Sequence, residues 1–170
     1  KCSLGKSRKE FVFGVGDPNA SLLLIGEAPG EQEDIQGEPF VGRAGKLLDK
    51  ILNAIDRNRN KDVFIANVIK CRPPNNRDPL PSEVEKCEPY LKTQIRLINP
   101  RLIVALGRVA AKTLLKLDIP LKDMRGKIHD YSGTPLRVTY HPAALLRNPG
   151  LKQAAWEDFQ WIQKYIISNS

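Results

Sequence analysis

Four short apolar runs rich in β-branched residues punctuate the chain: Leu22–Gly26, Val63–Val68, Leu102–Gly107 and Leu136–Tyr140. Gly, Pro, Asn or charged residues bound each one, and their length predicts buried strands. Between them the apolar period changes from continuous to helical. Leu47, Leu48, Ile51, Leu52 and Ile55 form one stripe. A second helix is predicted to start at Ser82, with the Ser82 hydroxyl as cap and Glu85 completing the box; Val84, Cys87, Leu91, Ile95 and Ile98 then point inward. A third helix is predicted over Arg108–Leu117. A last one runs from about Leu151 to Ile167, with Ala155, Phe159, Ile162 and Ile166 on its buried face.

Strands that alternate with helices need right-handed crossovers and a largely parallel sheet covered on both faces. The expected fold is α/β: a single three-layer α/β/α sandwich around a mainly parallel sheet of about four strands. Residues 1–170 contain no repeat, low-complexity stretch or linker, so one domain is expected over the whole length. In such a sheet, ligands bind beyond the carboxyl ends of the strands.

Composition narrows the functional classes. Of 170 residues, 41% are hydrophobic and 27% charged, which excludes the low-hydrophobicity signature of disorder. No apolar run approaches the roughly 18–20 residues that cross a bilayer. Lys plus Arg number 27 against 19 Asp plus Glu, a net charge of +8 that favours an anionic partner. The three cysteines, Cys2, Cys71 and Cys87, form an odd set and argue against a secreted disulfide framework. A reducing, cytoplasmic setting is expected. Lys1 and Cys2 follow no initiating Met and no apolar leader, as in a sequence that begins inside a longer chain.

The polar residues that fit no core collect after the four strands. They are Gly26-Glu27-Ala28-Pro29-Gly30, Asn67 ahead of Lys70-Cys71-Arg72-Pro73-Pro74, Gly107-Arg108, and Tyr140-His141-Pro142. Taken singly, each is an ordinary turn or helix-start residue. Together with Gly37-Glu38-Pro39-Phe40-Val41-Gly42 and His141-Pro142-Ala143-Ala144-Leu145, they resemble the iron-sulfur uracil-DNA glycosylases, family four of that superfamily. The likeness covers nearly the whole chain in order.

The resemblance implies a monofunctional enzyme of base excision repair that flips uracil out of DNA and hydrolyses its N-glycosidic bond. The residue types suit that chemistry. Phe40 offers a ring for stacking. The Asn67 amide can accept from uracil N3–H and donate to O4, a pattern that cytosine reverses. His141 can donate to O2, where negative charge gathers as the bond breaks. Glu27 is the candidate to orient water or stabilise the cationic sugar, with the Ala28 and Pro29 backbone beside it. Ala28 stands where better-known uracil glycosylases carry an Asp. The resemblance places the acid matching Glu33 against the C5 edge of the base, where it would exclude thymine. His129 has no motif around it and is left out of the site.

Leu145, in what reads as an exposed loop, is a candidate wedge for the gap left by the flipped base. Arg72, Arg108 and Arg147, with Lys70, Arg77 and Asn148, are candidate phosphate grips. Cys2, Cys71 and Cys87 are candidate metal ligands. The resemblance implies a 4Fe-4S cluster held by four thiolates, the fourth expected three places upstream of Cys2. Three unrelated buried thiols, or zinc, are the competing readings. The expected partner is uracil-containing DNA, bound by a monomer with no membrane association. No Lys stands in a motif that would attack C1′, so lyase activity is not expected. The alternative function is a non-catalytic binder of uracil-containing or single-stranded DNA, a reading that Ala28 keeps open.

Overall fold

The structure, a computed structural model, describes residues 2–170. The four apolar runs all form strands: β2 (Leu22–Gly26), β3 (Val63–Asn67), β4 (Leu102–Leu106) and β6 (Thr134–Thr139). They lie parallel in the order β3-β2-β4-β6. Two further strands extend the sheet, each antiparallel to its neighbour: β1 (Val15–Gly16) beside β3 and β5 (His129–Tyr131) beside β6. The sheet is therefore mixed and six-stranded, not a parallel sheet of four. Both additions are edge strands of two and three residues, too short and too polar to leave an apolar run in the sequence.

Along each central strand, successive side chains enter different cores. Leu22 and Leu24 pack with Leu48 and Leu52 of α3 (Arg43–Ala54) and with Phe159 and Ile162 of α8 (Lys152–Ser168). Leu23 and Ile25 pack with Leu91 and Ile95 of α4 (Pro81–Ile98) and with Ala110 and Ala111 of α5 (Arg108–Leu115). Double-sided burial is why these strands read as continuous apolar runs rather than alternating ones. The chain moves one way from β2 to β3, then crosses back to β4 and β6. Right-handed crossovers therefore put α3 on one face and α4 and α5 on the other. The loops after β2 and β4 leave toward opposite faces and open a crevice between the carboxyl ends of these adjacent strands.

Several shorter helices complete the chain: α1 (Leu4–Ser7), α2 (Glu31–Gln36), α6 (Leu121–Met124) and α7 (Pro142–Arg147). The start of α4 corrects the sequence expectation. Pro81 opens the helix, and the Leu80 N–H donates to Glu83 Oε2 at 2.9 Å. Glu83 thus takes the role expected of Glu85, and Ser82 lies inside the first turn instead of capping it. Proline's fixed φ favours the first helical position and moves the boundary upstream. None of the helices among the described residues is long and apolar enough to cross a membrane.

Candidate active site

The crevice beyond β2 and β4 is a cleft of about 560 Å³, lined by Glu27, Ala28, Pro29, Glu33, Phe40, Asn67 and His141 among others. Glycine at position 26 makes its floor. Gly26 is in register with Asn67 on the neighbouring strand. A Cβ on Gly26 would come within 2.6 Å of both Asn67 Oδ1 and Phe40 Cζ, so only glycine lets these two side chains meet there. The loops beyond are zipped by Val68 N–H donating to the Gly26 carbonyl and Ile69 N–H to that of Glu27.

Phe40 is held in a conformation that side chains rarely adopt, with φ 54°. Its carbonyl accepts from Arg59 Nη2 at 2.5 Å, that of Pro39 accepts from Nη1 at 3.0 Å, and Asp49 anchors Arg59 Nε at 2.7 Å. Beneath it, a Cβ on Gly45 would strike the Phe40 carbonyl. Strain of this kind persists where surrounding contacts over-determine it. Here they press the Phe40 ring against the His141 imidazole, with centroids 5.3 Å apart and planes at 30°.

His141 follows β6 and caps α7. Its Nδ1 accepts from Ala143 N–H at 3.0 Å. With Nδ1 accepting, the proton of the neutral ring lies on Nε2. Burial, and then the charge of Arg147, holds the imidazole down at about 4, so at neutral pH the ring is uncharged and still a donor. His129, by contrast, spends its Nε2 on the Met124 carbonyl at 2.8 Å, inside β5.

Asn67 is 2% exposed, and its Oδ1 has no hydrogen-bond partner among the described residues. A buried, unpaired amide oxygen costs about 1–3 kcal/mol unless something else supplies a donor. The main chain behind it is fixed from below. Lys70, fully buried, donates from Nζ to the Asn67 carbonyl at 2.9 Å and to Gln94 Oε1 at 2.6 Å. Burial lowers its ammonium to about 7. Lys70 is thus no phosphate grip, a correction that follows from the inward path of the chain between β3 and Cys71.

Two carboxylates flank the opening. Glu33 Oε2 accepts from Gly42 N–H, at the amino end of α3, at 3.1 Å, closing the loop between them. Glu27 is pushed up to about 7, by burial first and then by the charge and hydrogen bond of Asp78. Sequence reasoning missed Asp78, and also Arg59 and Gln94, because none follows a strand directly or lies in a recognisable motif.

The expected DNA contacts are only partly free. Leu145 is not in an exposed loop: it is 1% exposed within α7, where the Pro142 start makes a helix of what reads as a loop. Arg108 pairs with Asp118 at 2.6 Å and Arg77 with Glu83 at 2.6 Å. Arg72 Nε donates to Asn76 at 2.7 Å, and Asn148 turns back to Gly150 N–H. Arg147 lines the cleft and makes no ion pair among the described residues.

Cys2, Cys71 and Cys87 are free thiols behind this site. Burial pushes Cys71 and Cys87 up, and each also feels the charge of Cys2; Arg8 Nη1 donates to Cys71 Sγ at 3.2 Å. Three side chains far apart in sequence thus meet in one electrostatic neighbourhood. Among the described residues, no group of three His, Cys, Asp or Glu closes on a single metal ion. Thiols in mutual electrostatic reach are the donor type that iron–sulfur groups take.

A doubly covered α/β sheet with an aromatic, an amide and a neutral histidine converging at its switch point defines a pocket for a small planar, hydrogen-bonding ring. The model of the Uracil DNA glycosylase superfamily matches residues 13–160, and the chain belongs to that superfamily. It is similar to the Type-4 uracil-DNA glycosylase of Archaeoglobus fulgidus, 47% identical over 95% of this chain and 85% of that protein. The Type-4 enzyme of Saccharolobus solfataricus is 46% identical over 99% and 82%, and that of Thermotoga maritima 41% over 97% and 88%.

Proposed function

We propose that this chain is a monofunctional uracil-DNA glycosylase: it draws uracil out of DNA, hydrolyses the bond between N1 and C1′, and leaves an abasic site for base excision repair. Residues 1–170 work as one domain and one monomer, inside the cell. The observation that carries this reading is the Oδ1 of buried Asn67, which has no hydrogen-bond partner among the described residues. Uracil N3–H supplies the missing donor, while the Asn67 amide N–H₂ meets O4. Cytosine offers an acceptor at its own N3 and a donor at its 4-amino group, and leaves both Asn67 groups opposed.

The everted base stacks on Phe40, which recovers part of the few kcal/mol spent on unstacking. Glu33, with Ala28 and Pro29, lines the cleft and is the group that excludes a 5-methyl at the C5 edge of the base. As the N1–C1′ bond lengthens, electrons move onto uracil, and His141 Nε2–H donates to O2. A neutral donor aimed at developing charge needs no proton transfer to act. The sugar becomes cationic; the Glu27 carboxylate stabilises it and orients the water that adds to C1′, and the proton this water loses ends on the departed uracil anion. Arg147, with Arg72 and Arg108 further out, meets backbone phosphates. Leu145 fills the vacated stack only if α7 reorganises on DNA.

Cys2, Cys71 and Cys87 supply three thiolates to a 4Fe-4S cluster. When bound, it would brace the amino-terminal segment against the loop after β3 and against α4 through iron–thiolate bonds. A visible absorbance band from the purified protein, lost in Cys71→Ser and Cys87→Ser, tests that assignment. The function itself is tested on a U:G duplex with Asn67→Asp and His141→Ala alongside. Free uracil and an alkali-labile site are expected from the unaltered chain, without strand cleavage before alkali. Tight binding with no uracil released would favour the non-catalytic binder.

A further inference from the structure

Behind the cleft, the carbonyl of Asn67 is turned away from β2. Val68 N–H donates to the Gly26 carbonyl on β2, and a trans peptide carries the preceding carbonyl on its opposite side. That side belongs to β1, whose register pairs Gly16 with Phe64 and Val15 with Ile65. Two residues further along an unbroken ladder, Phe13 and Asn67 would exchange main-chain hydrogen bonds. The strand stops short of them, and Gly14, at φ 144°, turns the chain there. Side chains take over. Lys70 Nζ donates to the Asn67 carbonyl at 2.9 Å and to Gln94 Oε1 at 2.6 Å, and Gln94 Nε2 donates to the Phe13 carbonyl at 2.8 Å. The Lys70 carbonyl in turn accepts from Val12 N–H at 2.9 Å. Lys70 is 0% exposed and Gln94 4%, so bulk water does not compete for these bonds. The Phe13 carbonyl can only accept, which fixes the way the Gln94 amide faces.

We propose that Lys70 is a positioning residue for base recognition: its amino group replaces the missing strand partner of Asn67 and locks the peptide on which the Asn67 amide stands. The inference rests on the reading of Asn67 as the group that meets uracil N3–H and O4. In front, the bare Gly26 backbone confines the amide, since a Cβ there would come within 2.6 Å of Oδ1. Behind, Lys70 holds the main chain. A reader that pairs two base atoms at once has to keep both of its own in place, and discrimination falls as either drifts. Without Lys70 the Asn67 carbonyl would be a buried acceptor with no donor, and the end of β3 would shift to regain one. A polar group at this depth is kept only where it is partnered. No apolar side chain of similar size could donate to the carbonyl.

The test is a double-mutant cycle in the full chain, with Lys70→Met, Asn67→Ala and both together, read by single-turnover uracil release from a U:G duplex. Lys70→Met keeps the length of the side chain and removes the donor. It should slow release roughly 10- to 100-fold. In the Asn67→Ala background the same substitution should slow release by less than about 2-fold, because the group it positions is gone. A merely structural lysine would cost the same factor in both backgrounds, and that result overturns the proposal. The second readout needs no catalysis. Relaxation NMR on nitrogen-labelled protein gives the order parameter of the Asn67 side-chain amide, assigned by its loss in Asn67→Ala. That value should fall in Lys70→Met, and an unchanged value overturns the proposal. Gln94→Met leaves Lys70 in place but removes its second anchor. It should move both readouts the same way by a smaller amount, and it decides the question if Lys70→Met does not fold. Absence of uracil release from the unaltered chain would remove the proposed function, while the amide measurement still judges the positioning.

Discussion

The aromatic rings of Phe40 and His141 are stacked, 5.3 Å between centroids, although one precedes α3 and the other caps α7. The contact sets the two rings on adjoining walls of one cleft, where the proposed stacking platform and O2 donor would meet one base. Phe40→Leu keeps an apolar filler in a 5%-exposed position but removes the flat face. Base stacking on an aromatic contributes roughly 1–3 kcal/mol, so uracil release at subsaturating DNA should fall roughly 5- to 150-fold. The unfolding free energy should change by about 1 kcal/mol. Single-turnover kinetics and denaturant unfolding on the same preparation check both halves. A loss of stability as large as the loss of activity would assign Phe40 to the core alone.

Asn67 Oδ1 is buried without a donor among the described residues, so a base that supplies one removes a cost. Free uracil should therefore raise the thermal midpoint of the unaltered protein and leave that of Asn67→Ala unmoved. Asn67→Asp offers an acceptor where the amide donor faced O4, and excision of uracil should drop roughly 10- to 100-fold. Discrimination against cytosine should narrow in the same variant, measured as the ratio of release rates from U:G and C:G duplexes.

What the sequence disclosed, and what it hid, divides along physical lines. Leu22–Gly26 and its two parallel partners, Val63–Asn67 and Leu102–Leu106, are buried at every position, and an apolar run satisfies that environment. The residues that follow those strands were therefore legible as a site. Val15–Gly16 and His129–Tyr131 pair along one edge only, so their side chains carry no period. Lys70 reads as a surface cation because its burial depends on Gln94, 24 positions away, a partner that no local pattern reveals. Leu145 misled for the opposite reason: a Pro that reads as a loop signal is here the first residue of a helix. Asp78 became visible only when the fold brought its loop against Glu27.

His141 should remain neutral well below physiological pH, because burial and Arg147 hold it at about 4 against about 6.5 in an unfolded chain. The sign follows from linkage. The unfolded state takes up the proton first, so no stability is lost to this group above about pH 6.5, and the loss grows as pH falls toward about 4. His141→Asn keeps a short acceptor for Ala143 N–H and does not titrate. Its stability relative to the unaltered protein should improve over that window by on the order of 2–3 kcal/mol. Its excision rate should fall about 10²- to 10³-fold for want of the O2 donor. Urea unfolding at a series of pH values, beside uracil release at neutral pH, checks both expectations.

Glu27 predicts the reverse window. Its carboxyl is raised to about 7 in the fold, above the value of about 4.3 for a free Glu side chain. The folded state therefore binds this proton more tightly than the unfolded chain does. Ionising Glu27 costs stability, fully so above about pH 7 and not at all below about pH 4.3. Glu27→Gln removes that cost. At pH near 8 it should be more stable by on the order of 1–2 kcal/mol, discounted because part of the carboxyl faces solvent. The gain should vanish as pH falls toward about 4. The same substitution should lower uracil release roughly 10²- to 10⁴-fold if the carboxylate orients water at C1′. A protein that is more stable at alkaline pH yet nearly inactive would show that the cleft keeps this carboxylate for catalysis at the expense of the fold. A variant with unchanged alkaline stability would place Glu27 in solvent and remove it from the site.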